Sequence, residues 1–291
     1  MKKTVTFILS TNYSGSHYFS LLLGSHSRAA HLGEVANLVR KSNIGRDLGS
    51  RVEATKQCYI CEDNQKCSLF RDIHKVPLPE LYPVLFERAG PDIELLVDAS
   101  KKVSWAKQFV NQDDFSPQFI HLIRDPRAIV RKWHIQYSSV RQQLRQRRKQ
   151  LKYRPGRASD ILVSEQWTIF LMKWIQSNRE ITEFIAETGC QGRMVTYRDL
   201  VCETRQTLEQ LMPWMGLEFE PSQINYWEHE HHGTQKPDYD WIKNSGDAYF
   251  DLRWQTELPP IEQQQITADR DVHIYLDEVG LGIGAEGLTR L

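Results

Sequence analysis

The sequence predicts an α/β fold in which a mostly parallel sheet is flanked by helices. Short apolar runs alternate along the chain with longer amphipathic segments, which is the pattern of strands joined by helical crossovers. Four of the apolar runs are followed directly by a polar cluster. Because ligands bind beyond the carboxyl ends of parallel strands, the four clusters are expected to share one crevice.

Each predicted strand is short enough to be buried on both faces. The four strands and the clusters after them are VTFIL (5–9) with turn 10–16, IELLV (93–97) with 98–101, QFIHLI (118–123) with 124–127, and RMVT (193–196) with 197–200. An apolar helix is predicted after the first turn, and a long amphipathic helix over 167–189 ends at a glycine. A further helix over 204–216 is expected to end or kink at Pro213.

Length and composition favour a single domain, 1–291, with two excursions. The chain has 291 residues, 40% of them hydrophobic, and shows no repeat or clear linker. One excursion, at about 41–83, carries three of the five cysteines. The other, at about 140–157, is basic with no acidic residue. It is either a solvated helical face or a surface that attracts a polyanion.

The chain carries no recognisable export or membrane segment, so we expect a cytoplasmic protein. No apolar run approaches the roughly 20 residues of a membrane span. The stretch after Lys2 and Lys3 is short for a signal peptide and is broken by Thr4 and Thr6. The basic and acidic residues balance at 37 each, and no nucleic-acid partner is expected. The odd number of cysteines, without an export signal, argues against a disulfide framework.

The turn STNYSGS (10–16) places small hydroxyl residues and a glycine between a predicted strand and a predicted helix. It is either a tight connection with N-cap residues or an anion site at a helix N-terminus. It is not a Walker A loop, because it has no lysine to reach a terminal phosphate. The residues of the turn alone leave both alternatives open.

Four motifs together carry a family resemblance. HLIRDPRAIVRKW (121–133) resembles the 3′-phosphate-binding segment of sulfotransferases that use 3′-phosphoadenosine-5′-phosphosulfate (PAPS). The segment NYSGSHYFSLLLGSH (12–26) is similar to the family's 5′-phosphosulfate loop, VDASKK (97–102) to its Asp-Ser-Ser-Lys segment, and 195–221 to its Tyr-Glu-Asp-Leu stretch. Their order agrees from 7 to about 221, and a weaker likeness continues at 233–234 and 251–254. The chain looks most like bacterial-type, carbohydrate and tyrosylprotein sulfotransferases, which implies their P-loop-like fold.

The resemblance implies a binding site for PAPS. The residues that would hold it are Ser14, Gly15, Ser16, His17, Tyr18, Ser100, Arg124, Lys132 and Tyr197. The N–H groups of Ser14 to His17 and the hydroxyls of Ser14 and Ser16 would cradle the 5′-phosphosulfate, and Ser100 would donate to the same phosphate. Arg124 and Lys132 would bind the 3′-phosphate, and Tyr197 would lie near the adenine or the sugar. Alternatively, Arg124 is ion-paired with Asp125 or Asp98, and Tyr197 packs in the core.

Two positions depart from the family's pattern. Tyr13 stands where a basic residue precedes Ser-Gly, and His17 is a candidate to replace that charge. Lys132 stands where the family has a serine, although a lysine can bind a phosphate as a point charge. These departures leave room for an altered sulfuryl donor.

The resemblance also implies the catalytic groups. Glu34, in HLGE (31–34), matches a glutamate that accepts the proton of the acceptor hydroxyl, a role that suits a carboxylate within hydrogen-bond reach. His31 is the rival base, because cytosolic sulfotransferases use a histidine. Lys101 would place a cation beside the bridging oxygen as the phosphate leaves. Alternatively, Glu34 is an exposed loop residue and Lys101 faces water.

The segment CYICEDNQKC (58–67) has the spacing C-x2-C-x5-C. The thiols of Cys58, Cys61 and Cys67 are candidate Zn²⁺ ligands, with a fourth ligand such as His74. Free cysteines in an insertion are the alternative.

The expected activity is direct in-line transfer of a sulfuryl group from PAPS to a hydroxyl. The acceptor is expected to be a sugar or glycan, with a tyrosine or small phenol as the second choice. A kinase on a P-loop scaffold is disfavoured by the missing Walker lysine. A non-catalytic nucleotide- or polyanion-binding relative of the fold remains an alternative because of Tyr13 and Lys132.

Overall fold

The computed structural model describes residues 3–43, 57–58, 60–235 and 249–291. Its strands are β1 (Thr4–Ser10), β2 (Ala29–Gly33), β3 (Gln57–Cys58), β4 (Leu95–Lys101), β5 (Ser116–Ile123), β6 (Gln191–Thr196), β7 (Thr234–Gln235), β8 (Leu281–Ile283) and β9 (Leu288–Arg290). The first seven form one sheet in the order β3-β7-β2-β4-β1-β5-β6. All of its pairs are parallel except β3 with β7. The fold is therefore α/β with a parallel central sheet, as predicted.

Helices surround the sheet. They are α1 (Ser16–Gly24), α2 (Ala36–Asn43), α3 (Leu81–Ala89), α4 (Val103–Ala106), α5 (Pro126–Gln136), α6 (Val140–Tyr153), α7 (Ala158–Val163), α8 (Gln166–Thr188), α9 (Tyr197–Cys202), α10 (Thr204–Trp214), α11 (Trp254–Glu257), α12 (Pro260–Thr267) and α13 (Arg270–Glu278). The predicted long helix is α8, and it ends at Gly189, whose φ of 65° is left-handed. The basic segment forms α6, which begins with a capping box between Ser139 and Gln142.

The four predicted strands are present, with one shift of boundaries. IELLV was predicted as a strand over 93–97, but β4 covers Leu95–Lys101. Its polar residues therefore lie within the strand rather than after it. Asp98 is buried there, and hydrogen bonds from Tyr82 and Trp105 satisfy its carboxylate. The strand β2 was not predicted.

The largest hydrophobic cluster packs against one face of the sheet. Phe7 of β1 contacts the rings of Tyr82, Phe109 and Phe119. From the predicted excursion at 41–83, the cluster includes Cys58, Cys67, Leu69, Phe70 and Ile73. The described part of that segment thus contributes to the core, while 44–56 and 59 lie outside the described residues.

No helix in the described ranges is long and apolar enough to cross a membrane.

Candidate active site

The register of the sheet aligns the ends of its parallel strands. Lys101 at the end of β4 lies opposite Leu9 of β1, and Ser10 of β1 lies opposite Leu122 of β5. Ile123 lies opposite Thr196 of β6 in the same way. The polar residues at the ends of these strands therefore meet at one edge, as the sequence predicted.

The turn between β1 and α1 contains a glycine that no residue with a side chain can replace without strain. Gly15 has a φ of +92°, and a Cβ there would lie 2.9 Å from the ring of Tyr197. The side chains of Ser14 and Ser16 are buried, and Ser14 Oγ lies 2.7 Å from Thr11 Oγ1. The N-cap of α1 is Gly15, which has no side chain to cap the helix, and the first turn contains no acidic residue. The N-terminus of α1 is thus suited to an anion.

The next two side chains of this segment point away from the turn. The ring of His17 packs edge-on against His31, with 5.3 Å between centroids. Tyr18 packs in the same way against Tyr226, at 5.5 Å, and its hydroxyl lies 3.5 Å from Thr204 Oγ1. In this geometry Tyr18 can offer the turn only its backbone.

Glu34 and Lys101 form an ion pair at the end of β2 and β4. Lys101 Nζ donates to Glu34 Oε1 over 2.5 Å, and Asn37 Nδ2 donates to Glu34 Oε2 over 2.7 Å. The Lys101 side chain is only 12% exposed and that of Glu34 is 33% exposed. Lys101 also has a left-handed φ of 70°, a strained backbone that is typical of functional sites. The pair combines a candidate base with a candidate cation.

His31 occupies a different environment. Its ring is buried, and Nδ1 lies 2.5 Å from Ser20 Oγ. Gly233 covers the other edge of the ring, since a Cβ on that residue would lie 1.9 Å from His31 Nε2. Burial, and then the neighbouring His17 and His231, lower the pKa of His31 well below its usual value. This packing keeps the ring neutral and encloses it between Ser20 and Gly233.

Ser100 lies directly before Lys101 in β4. Its Oγ accepts a hydrogen bond from the backbone N–H of Ala36 over 3.0 Å, at the start of α2. Its own N–H donates to Asp98 Oδ1 over 2.6 Å. These bonds fix the end of β4 and the beginning of α2 to each other.

Arg124 is a buried cation at this edge of the sheet. Its Nη1 donates to the carbonyl of Tyr13 over 2.8 Å, and its Nη2 donates to Asp251 Oδ2 over 2.9 Å. Its guanidinium stacks on Tyr197, 4.0 Å from the ring centroid. Tyr197 stacks in turn on Phe250. Tyr197 is therefore a packing partner of both the β1–α1 turn and Arg124.

The ion pairs suggested for Arg124 from the sequence are wrong. Asp125 pairs with Arg127 over 2.7 Å, and Asp98 is enclosed by Tyr82 and Trp105. The carboxylate that pairs with Arg124 is Asp251, 127 residues further along the chain.

Three more cations lie around Asp251, namely Arg131, Lys132 and Arg253. Arg253 donates to both of its oxygens, and Arg131 Nη1 lies 3.9 Å away. Burial alone would raise the pKa of Asp251, but the hydrogen bonds from Arg253 and the charge of Arg124 lower it strongly. Burial and the charge of Arg253 lower the pKa of Lys132. This cluster has an excess of positive charge, and neither Arg131 nor Arg253 had been assigned a role from the sequence.

Two buried polar atoms at the strand ends have no hydrogen-bond partner among the described residues. They are Ser10 Oγ at the end of β1 and Arg124 Nε after β5. Buried polar groups are nearly always satisfied, but other buried atoms of the described residues, among them His31 Nε2, Trp133 Nε1 and Gln150 Oε1, also lack a partner, so these two atoms are compatible with a bound group and do not identify one. Phosphate oxygens would satisfy both.

A cavity of about 290 Å³ opens beside Lys101. Its lining includes Thr11, Asn12, Trp133, Lys173 and Glu180. Lys173 Nζ lies 3.9 Å from the ring centroid of Trp133, and burial, together with Lys149, lowers its pKa to about 7. A larger cavity of about 560 Å³ lies against α9 and α10 and is lined by none of the predicted site residues.

The three cysteines of the C-x2-C-x5-C segment converge with a histidine. The ligand atoms of Cys58, Cys61, Cys67 and His232 all lie within 4.8 Å of one another. His232, rather than the suggested His74, supplies the fourth group. The reason is that β7, which follows His232, pairs with β3, which carries Cys58.

Comparisons with known proteins identify the fold. No protein-family profile matches the chain, and no curated protein sequence matches it. The chain is similar in structure to the sulfotransferase domain from the curacin biosynthetic pathway, with a TM-score of 0.59 and 19% identity over 91% of this chain and 96% of that domain. It is also similar to the sulfotransferase domain from the Synechococcus PCC 7002 olefin synthase, with a TM-score of 0.55 and 15% identity over 95% of this chain and 94% of that domain. The chain therefore has the fold of bacterial sulfotransferase domains.

Proposed function

We propose that the protein is a sulfotransferase that moves a sulfuryl group from PAPS to a hydroxyl group. The observation that carries the proposal is the convergence, at one edge of a sulfotransferase-fold sheet, of three features. They are the uncapped turn before α1, the Glu34–Lys101 pair and the cationic cluster around Arg124. Along this edge the Glu34–Lys101 pair follows β2 and β4, the turn follows β1 and Arg124 follows β5, so the turn lies between the candidate base and the cationic cluster.

The sulfuryl donor is held at two points in this proposal. The amides at the start of α1, with the hydroxyls of Ser14 and Ser16, bind the 5′-phosphosulfate. The 3′-phosphate binds beside Arg124 and Lys132, with Arg253 as a third cation. The unpaired Ser10 Oγ and Arg124 Nε are compatible with this assignment, because phosphate oxygens would complete them. PAPS is thus the best match to the polar groups present.

Catalysis requires a base for the acceptor and a cation for the leaving group. Glu34 takes the proton of the acceptor hydroxyl while the oxygen of that hydroxyl forms a bond to sulfur. The bond between sulfur and the bridging oxygen breaks, and the electron pair stays on the departing phosphate. Lys101 stabilises that negative charge. The 2.5 Å contact between the two side chains supports their acting together, and His31 is too enclosed to compete as the base.

The acceptor enters through the cavity beside Lys101. A volume of about 290 Å³ is at the small end of ligand sites, which favours one ring over an extended ring system. The polar groups of its lining, among them Asn12, Lys101 and Glu180, suit a sugar, our first choice. A tyrosine or small phenol is the second.

The test is transfer of radiolabelled sulfate from PAPS to a panel of sugars, phenols and tyrosine peptides. The proposal expects transfer to at least one hydroxyl acceptor without added Mg²⁺ or ATP. Tight binding of adenosine 3′,5′-bisphosphate without transfer to any acceptor would favour the non-catalytic relative. Turnover of ATP that depends on Mg²⁺ would favour a kinase.

A further inference from the structure

The cysteine-histidine cluster has the dimensions of a tetrahedral metal site. His232 Nδ1 lies 3.6 Å from Cys58 Sγ, 3.6 Å from Cys61 Sγ and 3.7 Å from Cys67 Sγ. Zinc bonds of about 2.3 Å to sulfur and about 2.05 Å to nitrogen, at tetrahedral angles, require a sulfur–nitrogen separation of about 3.6 Å. The three distances thus agree with the edges of a ZnS₃N tetrahedron.

The groups around the cluster orient its atoms as metal ligands. His232 Nε2 lies 3.0 Å from Glu230 Oε1, so the carboxylate fixes the ring with Nδ1 towards the sulfurs. Backbone amides donate to two of the sulfurs, those of Ile60 and Cys61 to Cys58 and those of Leu69 and Phe70 to Cys67. These contacts help to hold Cys58 and Cys67 in position beside His232.

We propose that Cys58, Cys61, Cys67 and His232 bind one structural Zn²⁺ ion. Three sulfurs and one imidazole nitrogen form a ligand set that prefers zinc. All four positions are taken by protein, and Cys58 and Cys67 are buried, so the site is closed as structural zinc sites are. The thiols lose their protons on binding, and no redox change takes place.

The ion would join two distant parts of the chain at the edge of the sheet, the segment 58–67 and His232. Cys58 lies on β3, and His232 is two residues before β7. Thr234 of β7 pairs with both Cys58 and Gly33, the residue before Glu34. Zinc would therefore fasten the segment before β7 to β3, and β7 in turn pairs with the end of β2 while Gly233 lies against His31. A positioning effect on Glu34 is a consequence that rests on the proposed function, whereas the metal site does not.

The direct test is the metal content of the full chain, purified with a thiol reductant and without added metal. We expect about one zinc per chain by elemental analysis. Cys58→Ser and His232→Ala should each lose most of it. Cys202→Ser and His74→Ala are the matched controls, since the exposed Cys202 and the originally suggested His74 lie outside the cluster, and both should keep their zinc.

Two further measurements do not depend on the variants folding. Removing the metal from the wild-type chain with a strong chelator should lower Tm by about 5 °C or more, and added Zn²⁺ should restore it. Replacement by Co²⁺ should give the intense visible and thiolate charge-transfer bands of a tetrahedral sulfur-rich site. None of these readouts depends on sulfate transfer, so they separate this proposal from the proposed function.

Several results would overturn the zinc site. They are a wild-type chain that contains less than about a tenth of an equivalent of zinc and takes up none, iron in place of zinc, or a disulfide among the three cysteines in the native protein. Equal loss of zinc from Cys202→Ser and Cys58→Ser would also contradict it.

Discussion

Replacing Gly15 by alanine tests the β1–α1 turn as a nucleotide site. The backbone there has a φ of +92°, at which a Cβ costs about 1–2 kcal/mol. The same Cβ would lie 2.9 Å from Tyr197 Cδ2 and 3.0 Å from Cε2. The ring cannot move freely because Arg124 stacks on it at 4.0 Å and Phe250 lies 5.8 Å away. Overpacking of this kind adds about 1–3 kcal/mol, so we expect a total loss of about 2–5 kcal/mol.

Gly216→Ala is the matched control for this change. Gly216 has a φ of +88°, close to that of Gly15, but no heavy atom lies within 4 Å of its added Cβ. It should show the backbone cost alone. The difference in unfolding free energy between the two variants then isolates the collision with Tyr197.

The assays are urea unfolding and calorimetric titration with adenosine 3′,5′-bisphosphate. Gly15→Ala should bind the nucleotide at least about 10-fold more weakly, because displacement of Tyr197 also moves Arg124. Gly216→Ala should bind it normally. Equal stability losses and unchanged affinity in both variants would refute the role given to the turn.

Two other predictions concern the cationic cluster and the buried histidines. Arg124→Ala should weaken binding of the bisphosphate by about 2 kcal/mol, the value of a charge-assisted pair. The control Arg179→Ala removes an exposed pair with Glu278 and should leave the calorimetric affinity unchanged. Equal affinities of the two variants would remove Arg124 from the site. Burial lowers the pKa of His121 to about 4 despite its hydrogen bond with Asn178, so as the pH falls the unfolded chain takes up a proton first. The free energy of unfolding should therefore fall below about pH 6.5, with His121 contributing a loss of about 1.4 kcal/mol by pH 5.5. The measurement is urea unfolding of the wild-type chain and of His121→Gln, whose unfolding free energies should change with pH at different slopes over this range.

The strands were predictable where the sequence carries their pattern. β1 and β5 are runs of β-branched and aromatic residues buried on both faces, which is typical of parallel strands. β2, with the sequence AAHLG, has two alanines and a terminal glycine, and no local preference marks it as a strand. It forms because it pairs with β4 and carries the sheet outward to β7. Such long-range pairing overrides local propensity.

The residues of the candidate site were predictable where they lie next to a strand end, and their partners from distant parts of the chain were not. Residues directly after strands, such as Arg124 and Tyr197, were found because strand ends share an edge. The partner Asp251 was not, since 127 residues separate it from Arg124 and nothing local links them. The same limit explains His232, which lies 174 residues from Cys58. Chain spacing favoured the nearer His74, whereas the pairing of β3 with β7 decided the outcome.

The central claim is tested most directly by sulfate transfer from radiolabelled PAPS with the wild-type chain and Glu34→Gln. Glutamine can still accept the hydrogen bond from Lys101 but cannot take a proton at neutral pH. Transfer should therefore fall by roughly 10²- to 10⁴-fold, while calorimetric affinity for adenosine 3′,5′-bisphosphate stays nearly unchanged. Full transfer by Glu34→Gln would contradict the account, because Glu34 would then not be the base.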